Sequence, residues 1–139
     1  MSFKPRSRPR APVSAAALGL LRELCRALPG VEETSSWGHP NFRAGRPARI
    51  FAALEVARGV ERVCVKVGPE VRDALLAEGE PYAALPYDAR GQWIGIDADR
   101  LDAGRLAALL EGAYQAVGGG GEGRSARRKP AVRRRRPAG

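Results

Sequence analysis

The chain has 139 residues, the length of one domain, with 24 Lys and Arg against 15 Asp and Glu. No apolar run approaches the roughly 18–20 residues of a membrane-spanning helix, and no cleavable signal segment is recognisable. The net charge of +9 is unevenly placed: residues 1–13 carry +4 and residues 118–139 carry +7, which leaves −2 for residues 14–117. The middle of the chain is therefore not marked as a nucleic-acid binder by its net charge.

The first half of the chain predicts one helix followed by a polar connection. Residues 1–13 are rich in Pro and Arg and are expected to form a disordered basic tail. Leucines recur at helical spacing over residues 14–28, and Pro29-Gly30 ends that helix. Residues 31–36 are polar and predict a connecting loop, in which Glu32 and Glu33 are solvated rather than catalytic.

Three short strands follow and predict an antiparallel meander. Residues 41–43, 49–56 and 62–67 have strand character, and Gly45-Arg46-Pro47 is typical of a turn. Alternation along the second strand places one set of side chains on one face (Ile50, Ala52, Leu54, Val56) and the other set on the opposite face (Phe51, Ala53, Glu55).

The second half predicts two further helices around one strand. A helix begins at Pro69 and ends at Gly79, with Val71, Leu75 and Ala74 directed inward. Residues 92–97 form a strand with Trp93, and Asp102 caps a helix that ends at residue 117. The fold class is α+β: helix, three-stranded meander, helix, one or two strands and a C-terminal helix. Residues 118–139 are expected to form a Gly-rich linker and a disordered Arg-rich tail.

Four stretches in this order resemble the MmcQ/YjbR family. They are residues 27–33 (ALPGVEE), 37–43 (WGHPNFR), 65–70 (VKVGPE), and 93–97 with Leu101-Asp102 (WIGID). The resemblance spans residues 14–117 and implies a compact α+β fold like that of secretion chaperones, found in the bacterial cytoplasm. It also implies DNA binding through a double-wing arrangement of hairpins.

Five positions match the family closely enough to carry its features over. The structural positions are Gly38, Pro40, Phe42 and Trp93, and the third strand carries the family lysine at Lys66. Residues 87–92 depart from the polar run of other members, so a contact from this loop is not carried over.

Clustered cations mark the hairpins as a nucleic-acid surface. Arg43, Arg46 and Arg49 surround one turn, Arg58 flanks the next, and Lys66 interrupts a valine run. Arginines projecting from strand connections can straddle a duplex backbone. Ordinary solvated hairpin charge explains the same pattern equally well.

The sequence predicts no catalytic site, no metal site and no cofactor. His39 is the only histidine and lacks partners at metal-ligand spacing, so it is a structural loop residue or a nucleic-acid contact. Trp37 and Trp93 favour core or rim packing over base stacking. Cys25 and Cys64 are expected to be buried free thiols.

The C-terminal tail has the strongest electrostatic signal in the chain, and its cations can bind a polyanion through counterion release. Its candidate contacts are Arg127, Arg128, Lys129, Arg133, Arg134, Arg135 and Arg136. The chain is therefore interpreted as a non-enzymatic cytoplasmic protein that binds DNA or RNA, not membrane or a small-molecule substrate.

Two other functions stay open. One is a chaperone-like interaction module, which would bind a protein partner or a second copy of itself through the surface around Phe51 and Ala53. The other is an enzyme built around His39, Arg43 and Lys66.

Overall fold

The computed structural model describes residues 15–119. Every tail cation named above lies in residues 1–14 or 120–139, outside that range. The described chain forms three helices and six strands. In order, these are α1 (Ala15–Arg26), β1 (Glu32–Ser36), β2 (His39–Ala44), β3 (Arg49–Ala57), β4 (Val60–Lys66), α2 (Pro69–Glu78), β5 (Tyr82–Ala83), β6 (Trp93–Asp97), a 3-10 turn (Ala98–Arg100) and α3 (Ala103–Ala116).

All six strands belong to one antiparallel sheet, in the order β1-β2-β3-β4-β6-β5. Helices cover one face, where Leu21 of α1, Leu75 of α2 and Leu110 of α3 share a core with Leu54 and Val65 of the sheet. The valines and isoleucines of β4 and β6 alternate toward this helix-covered face, since neighbouring residues in a strand point to opposite sides. The predicted α+β class is confirmed.

The polar segment predicted as a loop is a strand, so that prediction is wrong. β1 pairs with β2 along its whole length and forms one edge of the sheet. Glu33 points to the helix side, where Arg22 donates from Nε and Nη2 to its two carboxylate oxygens at 2.8 Å. The side chain of Glu32, its neighbour in β1, points to the opposite face of the sheet. Both faces of this edge strand are exposed to solvent, so neither face requires apolar side chains. Its sequence therefore lacks the apolar alternation of a strand and resembles a loop.

A β-bulge corrects the predicted faces of β3. Phe42 pairs with Ala52, and the next residue of β2, Arg43, pairs with Ile50. Phe51 therefore has no partner on β2. The extra residue resets the alternation, and Phe51 lies fully buried in the core beside Ala52 rather than on the opposite face. Phe51 is therefore not available to the partner surface expected around it.

Helix α2 is packed less deeply than predicted. Leu75 is buried as expected, but Val71 is 42% exposed and Ala74 also faces solvent. Helix α3 follows its prediction, since Asp102 Oδ1 accepts a hydrogen bond from the Arg105 backbone N–H at 3.2 Å.

Candidate functional site

Three arginines cluster at the connection between β2 and β3. Arg43 lies near the end of β2, Arg49 begins β3, and Arg46 lies in the turn between them. Arg46 and Arg49 are exposed, whereas Arg43 is half-buried and donates from Nε to Thr34 Oγ1 at 3.2 Å. We call Arg43, Arg46 and Arg49 the basic turn.

No ion pair to the basic turn is formed by the acidic side chains of the described residues. Among residues 15–119, none of its three arginines forms an ion pair, whereas five other arginines do: Arg22, Arg62, Arg72, Arg100 and Arg105. Five of the eight other arginines in this range thus have their charge balanced by a nearby acid, and Arg26, Arg58 and Arg90 do not. The basic turn keeps its charge available for an external anion.

The basic turn lies against the end of α3. A Cβ added to Gly45 would lie 2.0 Å from the Val117 carbonyl oxygen and 3.6 Å from the carbonyl carbon of Gly118. Only glycine, here with a φ of +91°, permits this approach. The chain therefore leaves the described fold toward its Arg-rich tail directly beside the basic turn.

The remaining two cations of the predicted hairpin surface are separated from each other. Lys66 ends β4 at the same end of the sheet as the basic turn and pairs with Trp93 of β6. Arg58 lies in the β3–β4 turn at the other end, roughly 30 Å from Arg49 at about 3.3 Å per strand residue. The five cations do not form one patch.

The three residues of the enzyme alternative do not converge. His39 begins β2, and Lys66 ends β4 at the opposite end of the sheet, two strands away. Strand geometry places them about 16 Å apart. His39 is half-buried and begins a strand rather than lying in a loop, and its Nδ1 is buried without a hydrogen-bond partner.

Two cavities lie on the sheet face opposite the helices, beneath the loop of residues 84–92. One has a volume of about 180 Å³ and is floored by Ala53 and Cys64, with Trp93 at its side. The other, of about 580 Å³, lies toward the β1–β2 and β3–β4 turns. Its lining includes Trp37, His39, Asn41, Glu55, Arg58 and Tyr87. We call the second one the aromatic cleft.

Asp88 fixes the loop that roofs these cavities. Its side chain is 3% exposed and accepts hydrogen bonds from the backbone N–H groups of Gln92 and Trp93 at 2.9 and 2.8 Å. The same carboxylate lies 3.4 Å from Arg72 Nε of α2. An aspartate bonding backbone groups a few residues ahead is common turn chemistry, and here it holds the neighbouring Tyr87 at the rim of the aromatic cleft.

The two tryptophans occupy different environments. Trp37 is 88% exposed, so the preference for core or rim packing is wrong for this residue. Trp93 is half-buried beside the smaller cavity. Sequence reasoning missed Tyr87, which is 85% exposed, because nothing in residues 81–87 marks which ring faces solvent.

The other positions carried over from the family have structural roles. Phe42 is 2% exposed in the core and Pro40 is buried in β2. Gly38 has a φ of +79°, which the β1–β2 turn requires.

Neither thiol is activated. Cys25 and Cys64 are free and buried, and burial raises the pKa of Cys25 to about 12 and that of Cys64 further still. No group of three or more His, Cys, Asp or Glu side chains within residues 15–119 could hold a metal ion. In the same range, no helix has both the length and the apolar character needed to cross a bilayer.

The α+β fold and its motifs define a member of a known family. The YjbR family model matches residues 26–116, and the chain belongs to this family. The fold resembles the crystal structure of Deinococcus radiodurans protein DR2400, which has a DUF419 domain, with a TM-score of 0.61 and 27% identity. That match covers 70% of this chain and 75% of the other.

A Pseudomonas syringae protein of known structure shares the fold at a TM-score of 0.53 and 18% identity. This match covers 63% of this chain and 86% of that one. No curated protein matches the chain.

Proposed function

We propose that this YjbR-family protein is a non-enzymatic, cytoplasmic nucleic-acid-binding protein. The basic turn and the C-terminal tail contact consecutive phosphates of one DNA or RNA molecule, largely without reading sequence.

The point at which the chain leaves the described fold supports this proposal. Residues 118–139 hold eight Lys and Arg against one Glu, and Gly118 lies beside Gly45 of the β2–β3 turn. Arg46 and Arg49 are exposed next to this point and have no ion-pair partner among the described residues. The Arg-rich tail therefore begins beside the basic turn, on a domain whose other residues carry a net charge of −5.

The arrangement separates affinity from orientation. The tail supplies most of the charge, and each phosphate that it neutralises releases counterions. The basic turn is fixed by the sheet and by α3, so it holds the domain in one orientation on the backbone. Arginine suits this task because its planar guanidinium binds phosphate with two parallel hydrogen bonds.

The test is duplex binding by the full-length protein, followed by fluorescence anisotropy of a labelled oligonucleotide. The Arg46→Glu, Arg49→Glu double variant removes two cations and adds two anions at the corner. Each lost phosphate contact also lowers the log–log salt slope by about 0.9. We expect affinity at least tenfold weaker than that of the wild type at moderate salt.

The charge-matched control is the Arg90→Glu, Arg100→Glu double variant, on the loop before β6 and the 3-10 turn after it. Arg100 loses only an exposed ion pair with Glu80, which contributes little to stability. Equal weakening by the two double variants would show that only net charge matters. It would refute a role for the basic turn.

A further inference from the structure

The two aromatic side chains that are most exposed in the described part of the chain line the same cavity. Trp37 is 88% exposed and Tyr87 is 85% exposed, and both border the aromatic cleft. Trp37 projects from the β1–β2 turn and Tyr87 from the loop that Asp88 fixes. Large rings left in water on two separate elements contribute little to the core.

Backbone conformation does not explain Trp37 either. The β1–β2 turn has only two residues, Trp37 and Gly38, with φ of 55° and 79°. Positive φ at both positions is the type I′ hairpin turn, which favours Asn, Asp or Gly at the first position. A bulky residue there is strained. Neither burial nor turn preference accounts for a tryptophan at this place.

The neighbouring hairpin repeats this geometry with a cation. The β3–β4 turn consists of Arg58 and Gly59, with φ of 54° and 78°. Arg58 is exposed, lines the aromatic cleft and has no ion pair within residues 15–119. Two adjacent turns thus present a ring and a guanidinium, both at strained positions, to one cavity.

The inner wall of the cleft adds hydrogen-bonding groups. Asn41 is 4% exposed and donates to Ser36 Oγ at 2.6 Å, which fixes its amide. Glu55 of β3 is half-buried beside it, and its carboxylate can accept from an amino group. The cavity volume of about 580 Å³ is within the usual range of small-ligand sites, about 300–1,000 Å³.

We infer that the aromatic cleft binds an unpaired nucleobase, stacked on Trp37 and Tyr87, with Arg58 on the adjoining phosphate. Stacking rings, a nearby cation and polar groups at the base edge are the features that single-strand-binding sites combine. The inference rests on the proposed function and deepens it, because it adds single-strand recognition to a phosphate surface at the other end of the sheet. The base can come from a free nucleotide or from an unpaired residue in a strand.

The test uses the full-length protein at about 0.3 M salt, where phosphate contacts are weakened and stacking persists. A labelled single-stranded 12-mer, the blunt duplex of the same sequence and inorganic polyphosphate are titrated in parallel. AMP is followed by quenching of tryptophan fluorescence. We expect the single strand to bind more tightly than duplex or polyphosphate. Saturable quenching by AMP indicates a free nucleotide as the source, and binding of the oligonucleotide alone indicates an unpaired residue.

Variants separate stacking from charge. Trp37→Gly fits the turn and Tyr87→Ala removes a solvent-exposed ring, so both variants are expected to fold. Each should weaken single-strand binding roughly 5- to 100-fold and leave polyphosphate binding unchanged. Trp37→Phe should restore most of the affinity because it keeps an aromatic face. Val71→Ala, an exposed apolar residue on α2, is the control and should change nothing.

Three results overturn the inference. Single-strand binding that is unchanged in Trp37→Gly shows that the cleft takes no base. The inference is also overturned if the basic-turn variant weakens single-strand and duplex binding alike and the cleft variants weaken neither. The proposed function stands in that case. Trp37 quenching by a proline-rich peptide but not by any nucleotide assigns the cleft to a protein partner instead. Conversely, AMP binding at the cleft without any strand binding refutes the proposed function and keeps the nucleobase site.

Discussion

The Trp37→Asn variant should make the protein more stable although it removes a large aromatic side chain. A left-handed backbone costs an L-residue roughly 1–2 kcal/mol, and Asn-Gly is a preferred pair for a type I′ turn. Trp37 is 88% exposed, so the area it covers is about 30 Å², worth about 0.7 kcal/mol at 25 cal/mol per Å². The net gain in unfolding free energy is about 0.5–1 kcal/mol.

Urea titration followed by circular dichroism measures this gain, and thermal unfolding should show a rise in Tm of about 2–6 °C. Arg58→Asn is the matched control, since it relieves the same strain in the neighbouring turn without removing a ring. It should stabilise the fold by a similar amount. A Trp37→Asn variant less stable than the wild type would show that the indole packs against the folded protein, and the strain argument would be wrong.

Three further outcomes follow from the core, the thiols and one ion pair. Phe51→Ala should destabilise the fold by about 3–5 kcal/mol in urea titration, because the bulge buries this ring completely. A loss of unfolding free energy below 1 kcal/mol would contradict the burial of this ring by the bulge. Cys25 should react with a thiol reagent at pH 8 only on unfolding, since a pKa of about 12 leaves a thiolate fraction of ~10⁻⁴. Fast native labelling would contradict its burial. Hydrogen bonds from Arg22 lower the pKa of Glu33 in the folded state. Their contribution to the folded state is therefore complete above the pKa that Glu33 has in the unfolded chain, and it is lost as the pH falls through the lower pKa of the folded state. Glu33→Gln should reduce the acid dependence of stability below about pH 5, and an unchanged pH profile would refute this.

The sequence was sufficient for the parts of the fold that bury apolar side chains in a regular period. The stripe through Leu21 and Cys25 predicts α1, and Val63 and Val65 predict β4. Asp102 predicts the start of α3 through its capping bond. In each of these elements the local pattern and the tertiary packing agree.

The sequence failed where tertiary context overrides local pattern. β1 is polar because it is an edge strand, so no periodicity separates it from a loop. The bulge at Phe51 shifts a register by one residue, and only the pairing with β2 reveals it. Val71 was expected inside from its apolar character alone, but α2 packs mainly on β5 and β6 at the edge of the sheet, and Val71 stays exposed.

The candidate site was only partly visible in the sequence. The cluster of Arg43, Arg46 and Arg49 could be identified from spacing, but its position beside Gly118 depends on the close approach at Gly45. The aromatic cleft was not predicted at all. It is formed by two turns and a loop distant in sequence, which the sheet order brings together.

The salt dependence of duplex binding tests most directly whether the fixed turn and the tail act on one polyanion. For the full-length protein, about eight to ten phosphate contacts give a log–log slope of roughly −7 to −9. The Arg46→Glu, Arg49→Glu variant should lower its magnitude by about 2, and replacing the four arginines of residues 133–136 by serine should lower it by about 3–4. A slope that falls only in the tail variant would show that the folded domain does not contact the nucleic acid, which would contradict the account.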